Sequence, residues 1–276
     1  MKRCSIVRLC DLSGLSRQAY YKGKKQRRGK AVDARLVVEE VKMKRRKHPR
    51  MGTRKLHHEL HAIWEAFGIK IGRDRLFDIL RSEDLLVEPK RRWVQTTDSR
   101  HCLPLYRNLL PDRQPTAPHH ALVADITYLR TDEGWLYLSL ITDLFSRKIV
   151  GWNLADNLNA SESIKALRMA MKQVPANRWP IHHSDRGCQY CCHEYTKILH
   201  DKHWSISMTE INHCAENSNA ERVNGILKNE YNLDLEFRNR AQAMQAVEEA
   251  ICLYNEERPH NSLEKRKPAE VHAIAA

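Results

Sequence analysis

Apolar residues change their spacing part-way along this chain. In the first third they recur every three or four positions, as in Leu36, Val37 and Val41, then Leu56, Leu60, Ile63, Trp64 and Phe67. That spacing is one face of a helix, and the break at His48-Pro49 separates helices predicted over 33–47, 53–67 and 73–82. Upstream, residues 5–21 read as a short helix, a turn at Leu12-Ser13-Gly14 and a second helix with Ser16 as its N-cap. After Glu88 the periodicity lapses, and Pro89, Pro104, Pro111, Pro115 and Pro118 mark 88–118 as a linker. Beyond it, continuous apolar runs at 121–130, 134–143 and 147–155 read as strands, with turns at Asp132-Glu133-Gly134 and Ser146-Arg147. A helix over 161–174, a strand over 179–184, a helix over 189–202, a strand over 204–208 and helices over 217–233 and 241–254 complete the pattern. The order βββαβαβαα predicts an α/β unit over 119–276, a mixed sheet with helices on both faces, behind a small all-α region over 1–87.

Charge separates the same two regions. The 276 residues carry a net charge of +13, and residues 1–100 hold 27 Lys/Arg against 12 Asp/Glu, so all the positive excess is N-terminal. A basic helical module with a helix-turn-helix-like start points to phosphate-backbone binding that weakens steeply with salt. Lys24, Lys25, Arg27 and Arg28 are the densest candidates for those contacts. No stretch of about 18 apolar residues exists, and Met-Lys-Arg-Cys-Ser lacks the apolar core of a secretory signal, so a cytoplasmic, nucleoid-associated protein is expected.

Three carboxylates occupy segments suited to a common centre. Asp125 interrupts the buried run Ala-Leu-Val-Ala-Asp-Ile-Thr-Tyr-Leu, where a charge needs a partner or a metal. Asp185 closes Ile-His-His-Ser-Asp-Arg-Gly at a strand end, where open sheets place functional groups. Glu221 lies on the 217–233 helix, with Lys228 seven residues on, about 20° away around the helix and therefore on the same face. Oxygen ligands of this kind hold Mg²⁺ or Mn²⁺, and a pair of such ions drives in-line displacement at phosphorus. Asp143 and Glu216 compete for places in the set. Asp143 falls beside a turn and reads as a partner of Arg147 or the backbone, and Glu216 has no counterpart to Lys228.

The eight cysteines are expected to be reduced. Cys188, Cys191, Cys192 and His193, near His182 and His183, give a zinc reading little weight because no second ligand pair stands at a suitable spacing. His57, His58 and His61 read as a helix face.

The element order, with Asp125 on the first strand, Asp185 after the fourth and Glu221 on a later helix, resembles the ribonuclease H-like fold of retroviral integrases and DDE transposases. More closely, the chain resembles the OrfB proteins of the insertion-sequence-3 family of bacterial transposases, over nearly its whole length. The residues that carry this are Ser16-Arg17 with Tyr20-Tyr21, Gly52-Thr53-Arg54, Asp125-Ile126-Thr127-Tyr128 and Asp143 through Trp152. They continue with His183-Ser184-Asp185-Arg186-Gly187, Asn219-Ala220-Glu221-Arg222, Leu227-Lys228 and the C-terminal Arg258-Pro259-His260 and Pro268. The resemblance implies a mixed five-stranded sheet, two Mg²⁺ or Mn²⁺ ions on Asp125, Asp185 and Glu221, and contacts from Lys228 and Arg54 to DNA. It further implies cleavage at insertion-sequence ends followed by attack of the freed 3′ hydroxyl on another phosphodiester. The implied partners are terminal-repeat and target DNA, further copies of the chain, and the upstream-frame OrfA protein. With no heptad-rich start, the chain is expected to be the shorter product of a frameshifting pair.

Two other readings predict different behaviour. A catalytically inactive DNA-binding regulator would bind DNA unchanged after Asp125→Ala and never cut. A ribonuclease H-like nuclease without joining would release nicked product and no joints.

Overall fold

The computed structural model describes residues 6–88, 103–210 and 217–274, except for the side chains of residues 8, 9, 11 and 24–33. The chain divides into two compact units, Met1–Glu88 and Pro89–Ala276.

In the first unit α1 (Ile6–Ser13), α2 (Arg17–Lys47), α3 (Thr53–Ala66) and α4 (Arg73–Ser82) follow one another. Ser16 caps α2, its hydroxyl oxygen accepting the Ala19 N–H at 3.1 Å. The pattern predicts one helix ending near residue 21 and another starting at 33, but α2 runs unbroken for 31 residues. Lys, Arg and Gln are good helix formers, and extending a nucleated helix through Gly23 and Gly29 costs only about 1 kcal/mol each. Val37, Val41, Leu56, Leu60, Trp64, Leu76 and Leu80 form the core on which the end of α2, α3 and α4 close. Lys44 pairs with Glu59 at 3.0 Å across α2 and α3. His57 bonds the Ile71 carbonyl through Nε2 at 2.9 Å and stacks near His61, so these histidines are a helix face. Arg54 is exposed on α3. The side chains of Lys24, Lys25, Arg27 and Arg28 lie outside the described residues.

The second unit is built on one sheet. β1 (Ala121–Thr131), β2 (Gly134–Asp143), β3 (Ile149–Ala155), β4 (Ile181–Ser184) and β5 (Ser205–Met208) lie in the order β3-β2-β1-β4-β5. β1 is antiparallel to β2 and parallel to β4, and β4 is parallel to β5. β1 is central and covered on both faces, which is why its sequence is a continuous apolar run rather than an alternating one. On one face α5 (Ala160–Met171), α6 (Cys188–Cys191) and α7 (His193–Asp201) bury Leu122, Ala124, Ile141 and Val150. On the other, α8 (Ser218–Glu230) and α9 (Arg240–Glu256) bury Leu129, Leu138, Leu140 and Leu154. Gly151 permits the close approach of β3 to α5, since a Cβ there would stand 2.3 Å from the Ala166 carbonyl oxygen and 2.9 Å from Ala170 Cβ.

Four details depart from the pattern-based expectation. The 189–202 helix is broken where Cys192 turns extended, so α6 and α7 are separate. A two-residue strand, β6 (Glu236–Phe237), adds to the end of β1, and a helix, α10 (Pro268–Ile274), closes the C-terminus. The described part of the proline-rich segment is docked rather than free. Leu103 and Tyr106 pack on the α5 face, and the Asn108 and Leu109 N–H groups donate to Glu210 Oε1 and Ser207 Oγ at 2.8 and 2.9 Å. Among the described residues no helix is long and apolar enough to cross a membrane.

Candidate active site

Asp125 stands in the middle of β1, opposite Leu140 of β2. The Ile126 N–H donates to its Oδ1 at 2.9 Å, and the Asn224 amide of α8 donates to its Oδ2 at 2.7 Å. Burial pushes its carboxyl up to about 7, and the charges of Asp185 and Glu221 add to that, against the two hydrogen bonds that favour the anion. Asp125 thus lies within electrostatic reach of both other acids.

Asp185 follows the end of β4. The turn carrying it is held by the Gly187 N–H, which donates to Asp185 Oδ1 at 3.0 Å, and by Arg186, whose Nε donates to the Thr209 carbonyl at 2.6 Å. A side chain at residue 187 would meet Asp185 Oδ1 at 3.0 Å and Gln189 Oε1 at 2.8 Å, so glycine keeps that carboxylate accessible. Glu221 is exposed in the first turn of α8. The start of α8 is moored to β1 by Asn217, whose amide reaches the Ala124 carbonyl at 3.4 Å, and to the β2–β3 turn by Arg147, which donates to Asn219 Oδ1 at 2.6 Å. Lys228, two turns on, is half-buried. Burial lowers its pKa, and the carboxylates of Asp125 and Asp234 oppose that shift.

Among the described residues no set of three or more His, Cys, Asp or Glu side chains is gathered tightly enough to stand as a preformed ion cage. Three mutually repelling carboxylates have no reason to close on one another unaided. What the fold supplies is two acids anchored by backbone N–H groups on the sheet and a third on a long, exposed side chain.

Asp143, the competing aspartate, is used elsewhere. It is fully buried and accepts the N–H groups of His119, Phe145 and Ser146 at 2.7, 3.1 and 2.7 Å, with the Ser146 hydroxyl at 2.8 Å. Ser146 in turn bonds His272 Nδ1 at 2.9 Å, tying α10 to this turn. Glu216 lies outside the described residues. His182 bonds Tyr195 Oη and His183 bonds Ser207 Oγ, at 2.9 and 2.8 Å, while Cys191 is buried against Met208. These side chains serve the core.

Asn224 escaped the sequence reading. Its signal was its place three residues after Glu221 and four before Lys228, on the face they share. Tyr190, which belongs with Gln189 to the motif following Asp185, is 3% exposed. Its hydroxyl has no hydrogen-bond partner among the described residues, and burial, with the charges of Asp185 and Asp125 contributing, holds its phenol well above the ordinary value.

Two integrase core domain families match the chain, over residues 115–214 and 202–268. The chain is 36% identical over 276 residues to the insertion element IS600 uncharacterized 31 kDa protein of Shigella sonnei, covering 97% of this chain and 100% of that one. It is 34% identical over 218 residues to the transposase InsF for insertion sequence IS3A of Escherichia coli (strain K12), covering 78% and 74% of the two chains. The chain belongs to the insertion-sequence-3 family of transposases. Among solved structures, this transposase is similar to a chain of the simian T-cell lymphotropic virus intasome in complex with PP2A regulatory subunit B56 gamma. The TM-score is 0.50 at 19% identity, over 80% of this chain and 74% of that one, a likeness that shows the ribonuclease H-like integrase fold. The transposase is a DDE enzyme, a polynucleotidyl transferase.

Proposed function

We propose that the transposase performs both strand cleavage at the insertion-sequence ends and joining of the freed 3′ hydroxyl at Asp125, Asp185 and Glu221, with two Mg²⁺ or Mn²⁺ ions. The observation that carries this reading is that Asp125 is tied by Asn224 to the helix bearing Glu221 and Lys228 and lies in the field of both other acids, whose charges add to the burial that raises its carboxyl to about 7. The donor set fits the ions, being all oxygen and all carboxylate, and a divalent cation would relieve the mutual repulsion. Such ions, when bound, stabilise the entering and leaving oxygens of an in-line displacement.

The chain's own residues then have separate tasks. Asn224 and the Ile126 N–H fix the rotamer of Asp125, and the Gly187 N–H fixes Asp185. Glu221, exposed in the first turn of α8, completes the set through its long side chain. Lys228 offers its ammonium to a phosphate beside Asp125. Residues 1–87, with Arg54 and the run Lys24, Lys25, Arg27 and Arg28, grip the DNA backbone, and 88–118 connects them to the core at 119–276. Handling two DNA ends calls for at least two copies on DNA, with the upstream-frame OrfA protein as a further partner at the nucleoid.

Asp125→Asn, Asp185→Asn and Glu221→Gln test the assignment. Each is expected to abolish metal-dependent strand joining while duplex binding stays within about twofold of wild type, an effect lying well under 1 kcal/mol. Joining retained in any one variant removes that residue from the site.

A further inference from the structure

Away from the carboxylates, where β1, β4 and β5 begin, lies a cleft of about 350 Å³. Ile181 lines it and Asp185 is four residues further along, so by strand rise the two places are roughly 13 Å apart. Arg113, Arg178, His119, His120 and Trp179 line the cleft, and among its described lining residues there is no carboxylate.

The two guanidinium groups give the lining a surplus of hydrogen-bond donors over anionic acceptors. The Thr116 N–H approaches His120 Nδ1 at 3.4 Å, while the Arg178 guanidinium approaches His120 Nε2 at 3.5 Å. The Thr116 hydroxyl stands 3.3 Å from the same Nδ1, so an Nδ1–H tautomer can donate to it and leave Nε2 to accept from Arg178, whose guanidinium carries further N–H donors towards solvent. An oxyanion in the cleft would take up the guanidinium donors that the lining leaves to solvent.

Trp179 adds a flat surface. It is 62% exposed, yet the chain on either side is fixed. The Arg178 N–H closes a turn on the Pro175 carbonyl at 3.0 Å, and the Pro180 carbonyl accepts the Ser205 N–H at 3.1 Å. An indole held out to solvent beside two guanidinium groups suits a base stacked on the ring with its phosphate on the cations. Base faces in a duplex are already covered, so the matching ligand is an unpaired strand.

We propose that this cleft is a second nucleic-acid site, which takes an unpaired DNA segment by its phosphate at Arg113 and Arg178 and one base on Trp179. It rests on the DNA-processing reading only for the kind of polymer offered.

The test uses the full chain, a labelled 15-nucleotide single strand and EDTA, so that binding is read with no cleavage chemistry present. Arg113→Gln with Arg178→Gln should weaken binding at least tenfold and lower the salt slope by about 1.4, as expected when two phosphates of a single strand are no longer neutralised. Trp179→Ala should weaken it roughly 5- to 150-fold, the range for one unstacked base, while Trp179→Tyr should stay near wild type. Unchanged affinity and slope in the arginine pair overturn the proposal. So does equal loss on a blunt duplex, which would make the cleft a duplex-backbone site, or millimolar inorganic phosphate lowering wild-type strand binding to the level of the arginine variants, which would make it a free-anion site. Should a variant misfold, photo-crosslinking of 5-iododeoxyuridine in the strand to the wild-type chain decides. Adducts on the 172–180 loop support the site, and adducts confined elsewhere refute it. Loss of cleavage in Asp125→Asn with this binding intact would separate the two claims.

Discussion

Asn224 of α8 donates its amide to Asp125 Oδ2 at 2.7 Å, joining the helix that carries Glu221 and Lys228 to the central strand. A hydrogen bond to a charged acceptor is worth about 1.5–3 kcal/mol, and losing the group that orients a ligand commonly costs ten- to a hundredfold. Asn224→Ala is therefore expected to lower strand joining about 10- to 100-fold at fixed Mg²⁺, with partial recovery at higher Mg²⁺ or Mn²⁺. Joining rates within twofold of wild type would show that Asp125 holds its position unaided.

Asp125 also sets a pH dependence. Its folded value of about 7 lies above the ordinary 3.8, so the folded chain holds a proton there that the unfolded chain gives up. Below about pH 4 both states are protonated and the favourable contribution is fully present. It is lost as pH rises through 7, at a cost on the order of 4 kcal/mol. Asp125→Asn should thus unfold at a higher temperature than wild type at pH 8 in EDTA, with the difference shrinking towards pH 4.5. Divalent-ion affinity should fall as pH drops below 7, because the ion must displace that proton. A difference in unfolding temperature that does not vary with pH would contradict both statements.

The neighbouring aspartate should behave in the opposite way. Asp143 accepts four hydrogen bonds in full burial, and Asp143→Asn turns one acceptor oxygen into a donor facing N–H groups. A loss of about 2–4 kcal/mol in stability is expected, read by urea unfolding, with Mn²⁺ affinity of the folded protein unchanged. Wild-type stability combined with lost Mn²⁺ binding would move Asp143 into the ion site.

Binding should divide between the two units. Neutralising Lys24, Lys25, Arg27 and Arg28 should weaken all duplexes alike and reduce the salt slope by roughly one unit for each phosphate left without its cation. Lys228→Ala should instead penalise terminal-repeat DNA more than random DNA, because Lys228 stands in the field of Asp125. An unaltered slope in the first case, or equal losses in the second, would count against these roles.

The first three strands were legible because a sheet covered on both faces favours apolar runs, and β1 to β3 follow such runs, whereas the short β4 and β5, Ile-His-His-Ser and Ser-Ile-Ser-Met, do not. Asp125 was legible for the same reason, as a charge where none belongs. Glu221 and Lys228 were legible from helical spacing. Asn224 was not, since an amide on a helix carries no signature until its acceptor, far away in sequence, is known. β6 has only two residues and exists by pairing with β1, so no local pattern could announce it. α10 did have a local cue, Pro268 at its first position and Glu270 in its first turn. The continuity of α2 was hidden because a basic run reads equally well as a solvated helix and as a tail.

Anomalous diffraction from Mn²⁺-loaded crystals of the transposase bound to its terminal DNA tests the central claim most directly. The expected result is Mn²⁺ peaks bridged by Asp125 and Asp185, with Glu221 drawn in, at oxygen distances of about 2.0–2.6 Å. Peaks ligated by other side chains, or Mn²⁺ held by Asp125 with Asp185 and Glu221 both out of reach, would contradict it.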